Sequence, residues 1–200
     1  MGKHRNNIVG GDEVKETAGM ATPSQSKVVQ LIKRTINGDC EAFGELYSMY
    51  LDRIYRYVFY QVKDKMTAED ITEEVFIKAW NAIGSCKGRE KTFSAWLYRI
   101  AHNRMVDIFR SQEKERPVEI DTVAEVVSAG REVETDMEHR ELLDSIAQLP
   151  PNQKQVIILK YIEGLDNPEI ERITGKKQGA IRVLQMRALT TLRERLIGES

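Results

Sequence analysis

The run Phe93-Ser94-Ala95-Trp96-Leu97-Tyr98-Arg99-Ile100-Ala101-His102-Asn103-Arg104 interleaves aromatic rings with cations, and the basic loop Lys87-Gly88-Arg89-Glu90-Lys91 leads into it. Rings stack on unpaired bases and cations follow a phosphate backbone, so this combination suits an opened nucleic-acid strand. A second stretch runs Asp166-Asn167-Pro168-Glu169-Ile170 through Gly175 to Ala180-Ile181-Arg182. It reads as a helix-turn-helix, which lays its second helix in the major groove of a closed duplex. A chain carrying both grips DNA that is partly paired and partly open. Between them lies no catalytic constellation. His4, His102 and His139 are scattered without metal-ligand spacing, there is no nucleophile elbow, and no metal or cofactor is expected.

Magnitudes limit what the first stretch can do alone. Opening duplex costs roughly 1.4 kcal/mol per stacking step, and capturing a base on an aromatic returns about 1–3 kcal/mol. One or two such pockets hold a few opened bases but do not sustain a long bubble. A larger partner must supply the rest.

The elements that position these side chains follow from apolar spacing. From Val28 the pattern turns helical, and Phe43, Leu46, Tyr47, Tyr50, Leu51, Ile54, Tyr55 and Val58 recur at three- and four-residue steps. Thr67 reads as the cap of a second helix, with Asp70 three places on. Its stripe is Ile71, Val75, Phe76, Ala79, Trp80 and Ile83, and Gly84 ends it. A third helix carries Phe93, Leu97, Ile100, Ala101, Met105 and Ile108 on one side, leaving Trp96, Arg99, Asn103 and Arg110 on the other. Further on, Leu142, Leu143, Ile146 and Leu149 resume the period before Pro150-Pro151-Asn152 break and restart the chain. Val156, Ile157, Leu159 and Tyr161 make a short apolar helix ended near Gly164.

In the helix-turn-helix, Asp166 or Asn167 is the cap, Pro168 and Glu169 occupy the first turn, and Gly175 stands where the turn needs a positive φ. The last helix buries Ile181, Leu184, Ala188, Leu189, Leu192 and Leu196. Its leading end and outer side show Lys176, Lys177, Gln178, Arg182 and Arg187, the side-chain types that bridge guanine or adenine edges. No segment alternates as a strand does. The expected fold class is all-α: two small helical domains joined by a flexible acidic linker. The expected boundaries are a disordered tail at 1–26, a first domain at 27–112, the linker at 113–137 and a second domain at 138–200. Across residues 119–136 of the linker, Glu119, Asp121, Glu125, Glu132, Glu134 and Asp136 face Arg131 as their one cation.

Bulk composition agrees. The net charge of −1 over 200 residues excludes a wholesale polyanion binder, so contacts with nucleic acid come from local patches. The two cysteines, Cys40 and Cys86, have no CxxC company and read as idle thiols in a reducing compartment. Without a spanning apolar run or an apolar leader at the start, a soluble cytoplasmic protein is expected.

Three passages together resemble the RNA polymerase sigma factors of the sigma-70 family, in the small extracytoplasmic-function type: Ala68 to Trp80, Phe93 to Arg110, and Leu149-Pro150-Pro151 through Arg193. The resemblance implies sigma domain 2 and sigma domain 4 with a helix-turn-helix, and a subunit that binds core RNA polymerase, directs it to promoters and helps open the DNA. It implies docking on the largest subunit's clamp coiled coil through Asp70, Ile71, Glu73, Glu74, Phe76 and Lys78, with the flap region as a further contact. Lys87, Arg89, Lys91, Trp96, Arg99, Asn103 and Arg110 then resemble the −10 element reader, and Lys176, Lys177, Gln178, Arg182 and Arg187 the −35 reader. An anti-sigma protein is a further partner the resemblance implies. Glu171 stands where alanine is usual in this motif, Thr174 replaces a usual aliphatic, and Glu73 stands where glutamine is frequent. The competing reading is a helix-turn-helix regulator that binds duplex DNA without polymerase.

Overall fold

The computed structural model describes residues 24–87, 92–115 and 137–198, with side chains over 24–87, 92–111 and 141–197. The expected tail up to residue 23, the linker from 116 to 136, and Arg89 and Lys91 lie outside the described residues. Among the described residues every regular element is a helix.

The front unit starts with α1 (Gln25–Ile36), α2 (Cys40–Val62) and α3 (Lys65–Ala82). A 3-10 turn (Ile83–Cys86) follows, and then α4 (Phe93–Glu115). Asp39 caps α2 by accepting from the Ala42 amide, and Asp64 caps α3 by accepting from the Thr67 amide. Thr67 therefore sits inside the first turn, and the expected threonine cap is corrected to Asp64. A carboxylate at this place satisfies one orphan amide and meets the positive end of the helix dipole. The four helices close on Leu46, Ile54, Tyr57, Ile71, Val75, Leu97 and Tyr98, all at most 1 % exposed. Edge-to-face rings stitch α2 to α4, with Tyr57–Tyr98 centroids 5.3 Å apart and Tyr50–Phe93 5.5 Å apart.

The rear unit has α5 (Met137–Ala147), α6 (Pro151–Ile157), α7 (Asn167–Thr174) and α8 (Gln178–Gly198). A π-helical turn (Ile158–Ile162) continues α6. Pro151 opens α6, where its missing N–H is no loss. Val156, Ile157, Ile158, Leu159, Ile170, Ile173, Ile181 and Ala188 form the centre of this unit. Three expected core positions are corrected: Leu142 is 37 % exposed, Leu189 44 % and Tyr161 56 %.

The two units pack directly on each other, α4 against α7 and α2 against α6 and its π-helical turn. The seam carries a buried ion cluster. Glu163, whose side chain is 0 % exposed, receives Arg56 Nε at 2.9 Å, Arg56 Nη2 at 3.2 Å and Tyr98 Oη at 2.5 Å. Arg53 Nη2 donates to the Glu163 carbonyl at 2.7 Å, and its Nε lies 3.4 Å from the carboxylate. Beside this cluster Gln155 Nε2 reaches Tyr57 Oη at 3.3 Å and His102 Nδ1 at 2.5 Å.

Candidate nucleic-acid interface

α4 presents its polar side as a ladder. Arg99 and Asn103 stand one turn apart, with Arg110 two turns further, and all three are exposed. Trp96, one turn ahead of Arg99, is half-buried, its ring 5.7 Å from that of buried Phe93. The indole thus belongs to the edge of the core and turns one rim outward, while Phe93 lies in the core as expected. Lys87 is exposed just after the 3-10 turn. On the flank of the ladder His102 is half-buried, and burial first, then the charges of Lys176 and Arg99, lower its pKa below the ordinary 6.5. Its Nδ1 faces the Gln155 amide nitrogen, so the ring accepts there and is neutral.

The helix-turn-helix is built as its residue types require. Asp166 and Glu169 form a reciprocal capping box, with the Glu169 amide donating to Asp166 at 2.7 Å and the Asp166 amide to Glu169 at 2.9 Å. Gly175 closes α7 at φ +70°, its amide donating to the Glu171 carbonyl at 2.8 Å. A Cβ there would meet nothing within 4 Å, so glycine is needed for the left-handed conformation and not for space. α8 then starts at Gln178. Lys177, Arg182 and Arg187 are exposed, while Lys176 and Gln178 are half-buried. Among the described residues no carboxylate lies within ion-pair distance of Arg99, Lys177, Arg182 or Arg187.

α3 holds the expected protein-docking residues. Asp70, Glu73 and Lys78 are exposed, whereas Ile71 is buried at 1 % and belongs to the core. Glu74 is turned toward α4, its carboxylate 2.5 Å from Arg104 Nε and 2.7 Å from Arg104 Nη2. It therefore braces α3 to α4. A groove of about 730 Å³ runs between α2 and α3, its floor made by Phe43, Tyr47, Tyr55, Phe76 and Trp80 and its rim by Asp52, Glu69 and Glu73. Phe76 contributes from the floor, 5 % exposed, with its ring 4.7 Å from Tyr47.

The chain matches known proteins over these elements. Residues 46–115 match the family described as Sigma-70 region 2, and residues 139–192 the family described as Sigma-70, region 4. The extracytoplasmic-function RNA polymerase sigma factor BldN of Streptomyces coelicolor is 37 % identical over 180 residues, covering 86 % of this chain and 67 % of the relative. SigW of Bacillus subtilis, another such factor, is 32 % identical over 177 residues, covering 82 % of this chain and 94 % of the relative. This chain belongs to the extracytoplasmic-function sigma factors. Two solved structures share its fold at 22 % identity. CnrH in complex with the cytosolic domain of CnrY gives a TM-score of 0.65 over 87 % of this chain and 99 % of that one. The sigma factor RpoE in complex with the anti-sigma factor NepR from Bartonella quintana gives 0.62 over 77 % and 96 %.

In this sigma factor the region 2 match covers the ladder on α4 and most of the groove, and the region 4 match covers the helix-turn-helix. The chain therefore binds core RNA polymerase and promoter DNA. Four structural players escaped the sequence reading: Arg53, Arg56, Glu163 and Arg104. Arg53 and Arg56 carried a signal, since two cations three apart interrupt an apolar helix that otherwise faces the core. Glu163 gave none, because an acid before a glycine reads as an ordinary helix end.

Proposed function

We propose that this sigma factor docks on core polymerase through the α2–α3 groove, with Asp70, Glu73 and Lys78 at its exposed margin and Phe76 in its floor. Ile71 and Glu74 hold that helix in place from behind. The opened −10 strand lies along Trp96, Arg99, Asn103 and Arg110, with Lys87 at its entry, and the −35 duplex is read by Lys176, Lys177, Gln178, Arg182 and Arg187. Residues 27–112 and 138–200 act as the two promoter-binding units. The chain works as a binding subunit in the cytoplasm, and the chemistry of RNA synthesis belongs to the polymerase. No helix among the described residues is long and apolar enough to cross a membrane.

One observation carries this reading: exposed cations share a helix face with the half-buried ring of Trp96, in the same chain as a helix-turn-helix whose Lys177, Arg182 and Arg187 meet no carboxylate among the described residues. Stacking serves single strands, and bidentate donors serve closed grooves. The test is permanganate footprinting of promoter opening by holoenzyme reconstituted with Trp96→Ala or Arg99→Ala. Loss of thymine reactivity in the −10 region, with holoenzyme assembly retained, supports the assignment. Opening at the wild-type level by both variants refutes it.

A further inference from the structure

We propose that Glu171 sets the base preference of the −35 reader by fixing the side-chain amide of Gln178. The inference rests on the assignment of Gln178 to the major groove. Glu171 lies in α7 and Gln178 begins α8, and Gln178 Nε2 donates to Glu171 Oε2 at 2.9 Å across the turn. A carboxylate accepts hydrogen bonds and donates none, so the amide nitrogen must face Glu171 and Oε1 must face away. One N–H of the amide remains free. The groove therefore meets one acceptor and one donor, the complement of the N6 amino group and N7 of adenine. Guanine offers O6 and N7, both acceptors, and would set O6 against Gln178 Oε1. Both side chains are half-buried, which limits competition from water. The carboxylate also repels phosphate, so it sharpens the choice of base while slightly weakening overall affinity.

Holoenzymes carrying wild-type sigma, Glu171→Ala, Glu171→Gln or Gln178→Ala are compared on promoters randomised across the −35 region. The expected wild-type preference is adenine over guanine at one position by about tenfold, within the range of a good bidentate pair. Gln178→Ala abolishes that preference. Glu171→Ala reduces it to less than about threefold and leaves the other positions unchanged, and Glu171→Gln retains part of it because an amide still pairs with an amide. If Gln178→Ala leaves every position unchanged, the groove assignment itself falls. If Gln178→Ala removes the preference but Glu171→Ala keeps it, the role of Glu171 is overturned.

Discussion

Arg53 and Glu163, 110 residues apart in sequence, meet across the seam between the two helical units, the Arg53 guanidinium 2.7 Å from the Glu163 carbonyl. Removing one partner of a buried ion cluster leaves an uncompensated charge, a loss of about 3–5 kcal/mol. Both tryptophans, Trp80 and Trp96, lie in the front unit, while helical circular dichroism reports both units. In denaturant the wild type should show coincident transitions by the two signals. Glu163→Ala should separate them, the helix signal beginning to fall at lower denaturant than the fluorescence. Coincident transitions in the variant would show that the cluster does not couple the units.

His102 gives the seam a pH dependence of defined sign. Its pKa is lowered in the packed state by burial, then by Lys176 and Arg99, so the packed state favours the neutral ring. Gln155 presses the same way, since its amide nitrogen faces Nδ1. Stability of the packing is thus full above the unfolded value near 6.5 and declines as the pH falls through the lowered one. The denaturation midpoint should fall between pH 7.5 and 5.5, and His102→Gln should flatten that part of the profile. A midpoint that rises on acidification in the wild type alone would reverse the assignment.

The acidic face of α3 divides into two behaviours. Asp70 and Glu73 are exposed, whereas Glu74 is paired with Arg104. Replacing Asp70 and Glu73 together should abolish capture by core polymerase in a pull-down and leave the melting temperature unchanged. Glu74→Ala should lower stability by about 0.2–1 kcal/mol, a modest figure because both partners remain partly in solvent. An Asp70/Glu73 double variant that still assembles holoenzyme would remove docking from this helix.

Gly175 tests the turn of the helix-turn-helix. Its φ of +70° is disfavoured for any residue with a Cβ, while the surrounding space is open. Gly175→Ala should therefore cost about 1–2 kcal/mol through backbone strain alone. A loss well above that range would mean that the alanine methyl meets a neighbour after all.

Arg182 stands one turn beyond Gln178 on the exposed side of α8. Arg182→Ala should lose about 1–3 kcal/mol of discrimination at a single −35 base pair. An equal loss on every sequence would assign it to phosphate instead.

The helices were legible because their signals are local. The Asp166–Glu169 box, Pro168 and Gly175 specify the turn from adjacent residues, and the α4 ladder follows from spacing on one helix. What sequence could not supply depends on partners distant in the chain. Thr67 was a fair cap by type, but Asp64 lies closer to the free amides and is charged. Leu189 fits the stripe of α8 yet is 44 % exposed, because among the described residues the neighbouring helices reach Ile181, Ala188 and Leu192 instead. Glu74 reads by type as a docking acid, but Arg104 of α4 holds it, and Glu171, which stands where alanine is usual, accepts the amide of Gln178 at its carboxylate. The association of the units through Glu163 has no local trace at all.

The most direct test of the central claim is in vitro transcription with purified core polymerase on templates from the chain's own genome, with and without this protein. The account predicts specific start sites only when the chain is present, and their loss with an Asp70/Glu73 double variant. Identical transcripts with and without the chain would contradict it.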